Sequence, residues 1–122
     1  MGVYDRPKLL KLGLLEGRDL VSLLESPPYE VPVYKVVLGY EGEDEDYIEV
    51  GNVQEFKDTL TADKRECFIY FSKYDEWNGG EGVYLVVKVG TDVYVVPLTI
   101  FSGWAGTYVL PSSNELFELL SS

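Results

Sequence analysis

Apolar residues recur along this chain with two different spacings, and the changes between them mark the predicted elements. From Pro7 to Glu25 the leucines and Val21 fall at 9, 10, 12, 14, 15, 20, 21, 23 and 24. That spacing suits a helix better than a strand. Gly13 and Gly17 argue against one unbroken helix, so two short helices or one kinked helix are expected. Asp19 is placed to cap the second, which ends at Ser26 before Pro27-Pro28.

The pattern then changes to that of strands. Val31 to Tyr40 reads as a strand, the polar run after it as a loop, and Tyr47 to Val50 as a short returning strand. Asn52 to Leu60 reads as a short helix capped by Asn52, with Val53, Phe56 and Leu60 on one face. In Cys67 to Tyr74, Cys67, Ile69 and Phe71 occupy one face and Phe68 and Tyr70 the other. Apolar residues on both faces predict a strand covered on both sides.

Val83 to Val89 and Val93 to Leu98 flank Gly90-Thr91, and glycine first in a two-residue loop predicts a type II′ hairpin. Pro97 has no N–H for a ladder and belongs at a strand end or a sheet edge. A further short strand is expected at Thr107 to Leu110. Ser112 or Ser113 caps a terminal helix through Leu120. The expected fold is α+β, a single domain over residues 1–122. Its sheet is mainly antiparallel with four to six strands, and its helices are N-terminal, middle and C-terminal.

With 122 residues and 46% hydrophobic content the chain buries a core without staples. Cys67 is its only cysteine, so no intramolecular disulfide and no cysteine-based zinc site is available. The residues around Met1 do not read as a signal peptide, and no apolar run approaches the ~20 residues that span a bilayer. A soluble, cytoplasmic protein away from membranes is the expectation. Four Asn and Gln residues in all, one Met and one Cys also point to a thermophilic source.

Charge changes the picture most. The net charge is −11, yet residues 1–18 hold four bases against two acids, and no base follows Lys88. Six carboxylates fall within Glu41–Glu49 with no base among them. A field of this sign repels phosphate backbones, which argues against direct nucleic-acid binding and favours a protein partner with a basic surface.

The chain contains no histidine, which removes the commonest general base and transition-metal ligand. Cys67, on an apolar face, reads as an inert core thiol. A calcium loop starting at Glu41 would place Asp46 where glycine is required and Asn52 where a bidentate glutamate belongs. Dinucleotide and P-loop phosphate motifs are absent. No cofactor and no metal are expected.

These readings converge on a small, acidic, non-catalytic binding protein that occupies a basic surface on another macromolecule. Inhibitors, antitoxin or immunity proteins, and phage or plasmid counter-defence proteins, some of them nucleic-acid mimics, share this size and charge. The expected partner-binding residues are Glu43, Asp44, Glu45 and Asp46, flanked by Tyr40 and Tyr47. A second acidic segment adds Asp75, Glu76, Trp77 and Glu81. Tyrosine and tryptophan beside carboxylates supply contact area at low entropic cost. If both segments share one end of the sheet, they form one acidic-aromatic surface. Two other classes compete with this reading. One is a small ligand-binding or carboxylate-dependent enzyme domain with a pocket near Trp104 and Tyr108; the other is a structural subunit with a large apolar patch.

Overall fold

The computed structural model describes residues 8–24, 31–37, 46–71, 82–98, 110 and 113–121. Among these residues nine elements follow one another. They are β1 (Lys8–Leu12), α1 (Leu14–Leu24), β2 (Pro32–Val37), β3 (Asp46–Asn52), α2 (Lys57–Leu60), β4 (Arg65–Phe71), β5 (Val83–Val89), β6 (Asp92–Pro97) and α3 (Ser113–Ser121). The six strands form one sheet in the order β1-β4-β5-β6-β2-β3, and every neighbouring pair is antiparallel. The fold is α+β with N-terminal, middle and C-terminal helices, as the sequence predicts.

Both faces of the sheet carry a core. On one face, Val33, Cys67, Leu85, Val87, Tyr94 and Val96 pack with Val21 of α1, Leu60 of α2 and Val53. On the other, Val36, Tyr70, Tyr84, Val86, Val93 and Val95 pack with Leu116 of α3. Alternate residues of β4, β5 and β6 therefore supply alternate cores, because successive side chains of a strand point to opposite faces. This explains why these strands read as nearly continuous apolar runs.

The β5–β6 hairpin closes through Gly90-Thr91 with Val89 opposite Asp92, and Gly90 has a φ of +62°. Glycine reaches that left-handed value without a Cβ penalty. Pro97 ends β6, and the ladder continues past it through the Leu98 N–H, which donates to the Val83 carbonyl at 2.8 Å. Asn52 caps the turn before α2. Its Oδ1 accepts from the Glu55 N–H at 3.0 Å, and Glu55 Oε1 accepts from the Asn52 N–H at 3.1 Å. This reciprocal pair is a capping box. Regular α-helix starts only at Lys57.

The N-terminal segment departs from its helical expectation. Lys8–Leu12 is a strand, paired with β4 so that Leu10 lies opposite Ile69 and Leu12 opposite Cys67. Five residues are too few for intrinsic propensity to outweigh a ladder of hydrogen bonds and cross-strand contacts. Leu9 turns to the α3 face and Leu12 to the α1 face, so the leucines of this one strand are divided between the two cores. Helix α1 begins at Leu14 rather than at Asp19. The Gly13 N–H donates to Glu16 Oε2 at 3.3 Å, and the helix runs through Gly17 without a break.

Of the possible strand at Thr107 to Leu110, only Leu110 falls within the described residues, and no strand is assigned to it.

Candidate functional site at the acidic edge

The acidic run leads directly into β3, an edge strand. Asp46 is its first residue, lying opposite Val37, the last residue of β2. β2 covers one side of β3; among the described residues no strand pairs with the other. An open edge leaves a row of backbone N–H and C=O groups available to an added strand.

Side chains along β3 alternate. Tyr47 lies opposite Val36 and packs, half-buried, against the core on the α3 face. Glu49 is exposed on that same face of the sheet, opposite Tyr34. Ile48 points to the α1 face beside Lys35 and is 52% exposed. Val50 returns to the core on the α1 face. A register shift between Val33 and Tyr34 places Glu49 and Gly51 opposite them, so Val50 is the extra residue of a bulge. Gly51 sits under the Phe56 ring, where a Cβ would stand 2.9 Å from Cε2. The Phe56 ring in turn lies 5.8 Å from that of Tyr94. The acidic edge is thus held from behind by an aromatic pair anchored on β6.

Lys35 is a basic residue next to this edge in the ladder. Its Nζ lies 3.4 Å from Asp92 Oδ1, and both side chains are partly exposed. Such a pair contributes little to stability, but it occupies the cation opposite Ile48 in the ladder.

Of the sequence-derived partner-binding residues, the described structure places Asp46 at the head of β3 and Tyr47 behind the edge as a packing residue. Tyr40, Glu43, Asp44, Glu45, Asp75, Glu76, Trp77 and Glu81 lie outside the described residues, as do Trp104 and Tyr108. The topology still answers one question about the two acidic segments. Val37 and Asp46, the described residues on either side of 38–45, lie at the end of the sheet that carries the Gly90-Thr91 turn. Phe71 and Val83, on either side of 72–81, lie at the opposite end, near Pro97. The strand ends that flank the two acidic segments are therefore at opposite ends of the sheet.

Two edge residues were not among the expected partner-binding residues. Glu49 belongs to the acidic run, but in sequence it is only one residue of the Tyr47–Val50 strand. Ile48 looks like an ordinary strand residue until the strand order shows β3 at the margin. Among the described residues no group of three or more Cys, Asp and Glu side chains is placed to hold a metal ion. No helix among them is long and apolar enough to cross a membrane. Comparison with protein-family models, curated proteins and solved structures finds no match for this chain.

Proposed function

We propose that this chain is a non-catalytic binding protein whose acidic run and β3 edge together occupy a basic surface on another protein. The observation that carries this reading is the continuity of charge and open edge. The run from Glu41 passes into a strand whose outer side has no partner among the described residues, and whose Ile48 and Glu49 are exposed. Carboxylates steer a basic partner toward the edge and set the association rate. The unpaired backbone and Ile48 then supply short-range contacts, in the manner of strand addition. Inhibitor, antitoxin, immunity or counter-defence roles are the setting in which such a surface works, by covering the basic groove of a partner.

Native pull-down tests the reading. Wild type and a variant with Glu43, Asp44, Glu45 and Asp46 changed to Gln or Asn serve as parallel baits from the same lysate, at low and at high salt. The reading expects a basic protein that wild type retains at low salt, releases at high salt, and that the variant fails to retain. Equal recovery by both baits would defeat it.

A further inference from the structure

Among the described residues no strand pairs with the outer side of β1 or of β3, and these two edges carry opposite charge; from this we infer that the chain associates head-to-tail with copies of itself, β1 of one copy pairing with β3 of the next. The inference is independent of the basic partner proposed above, and it is read on purified protein with nothing added.

Topology permits the pairing. Six strands alternate in direction across the sheet, so the two edge strands β1 and β3 run antiparallel to each other. A copy displaced sideways without rotation therefore offers β1 antiparallel to β3, with the same face of the sheet upward. A two-fold pairing of β1 with β1, or of β3 with β3, is also antiparallel, so direction alone does not choose between them.

Charge and shape choose. β1 contains Lys8 and Lys11 and no acid, while β3 contains Asp46 and Glu49 and no base. Like edges place like charges beside each other, and unlike edges place opposite charges together. Among the described residues, the exposed large apolar residues on strands are Leu10, 45% exposed, and Ile48, 52% exposed, one on each edge. Both lie on the α1 face, since Leu10 neighbours Ile69 and Ile48 neighbours Lys35, which is paired with Tyr94. Setting Lys11 opposite Glu49 keeps the faces matched and brings Leu12 opposite Ile48, with Leu10 on the diagonal. One face of the junction then holds an opposite-charge pair and the other an apolar patch. The interface is not self-complementary, so it builds rings or open chains rather than a closed two-fold dimer.

Edge lysines also serve in many sheets as guards against pairing, and that role predicts the opposite sign. Sedimentation of the full chain over a range of concentrations separates the two. Wild type is expected to gain average mass with concentration and to lose it with added salt. Lys11→Glu and Glu49→Lys are each expected to lower the association constant by about tenfold. The double variant, and an equal mixture of the two single variants, should regain it. Lys11 also lies 3.6 Å from Glu66 of its own β4, an exposed pair. Glu66→Gln is therefore the control, expected to associate as wild type does. Circular dichroism of each variant verifies folding. A wild type that stays monomeric at every concentration overturns the inference. So does stronger association of Lys11→Thr, the result expected of a guard, or a folded double variant that fails to regain association.

Discussion

Gly17 of α1 lies so close to Cys67 of β4 that a Cβ built on the glycine would stand 2.9 Å from Sγ and 3.3 Å from the cysteine Cβ. The helix rests on the sheet at this point, and the missing side chain sets the spacing. Glycine inside a helix costs about 1 kcal/mol relative to alanine, so propensity alone makes Gly17→Ala stabilising. The contact reverses that sign, because Cys67 Cβ is fixed to a buried strand and Sγ is held by Arg65. Overpacking of this kind costs roughly 1–3 kcal/mol. Gly17→Ala is expected to lower stability in urea melts, and adding Cys67→Ala should recover part of the loss. A stabilised Gly17→Ala would mean that α1 sits farther from the sheet.

Arg65 is 4% exposed, and it joins three segments through neutral acceptors. Its Nε–H donates to Cys67 Sγ at 3.1 Å, Nη1 donates to the Ala62 carbonyl at 2.6 Å, and Nη2 donates to the Leu14 carbonyl at 2.8 Å. Truncation removes charge-assisted hydrogen bonds to two carbonyls and opens a cavity. Arg65→Ala is therefore expected to cost about 2–4 kcal/mol. Lysine, a point donor without the planar fork, should rescue it poorly. Thiol labelling reads the same region, since Cys67 is 1% exposed. Native protein should label only on unfolding, and Arg65→Ala should label faster. Rapid labelling of wild type would contradict the buried position of β4.

Burial pushes the Tyr84 hydroxyl up to about 12. An unfolded tyrosine ionises near pH 10, so between these values the unfolded chain has released a proton that the folded chain keeps. Stability from this group is intact below about pH 10 and is lost as pH rises toward 12. Urea midpoints should fall across that window, and Tyr84→Phe should flatten the slope. An unchanged slope in the variant would assign the alkaline loss to other groups.

Much of the fold was legible because local and tertiary preferences agree. Gly90-Thr91 specifies its hairpin, Asn52 its cap, and the two-faced pattern of Cys67–Phe71 a strand with a core on each side. The failures lie where tertiary contacts override local preference. Lys8–Leu12 is a strand because β4 pairs with it, and Gly17 stays within a helix because Cys67 needs the space. Arg65 is buried, and nothing local in the sequence signals it. For the site, the acidic run was visible as charge, but its continuation into an open edge with Ile48 exposed depends on strand order, which charge does not encode.

The central claim is that the acidic run and its edge bind a basic partner, and the most direct test is the association rate with the recovered partner as a function of ionic strength. Wild type should associate quickly at low salt and slow steeply as salt screens charges over a Debye length of roughly 8–10 Å. The variant with Glu43, Asp44, Glu45 and Asp46 changed to Gln or Asn should remain folded, associate more slowly at low salt, and show a shallower salt dependence. If the folded variant binds the partner as fast and as tightly as wild type at low salt, the acidic run serves solubility alone and the account is wrong.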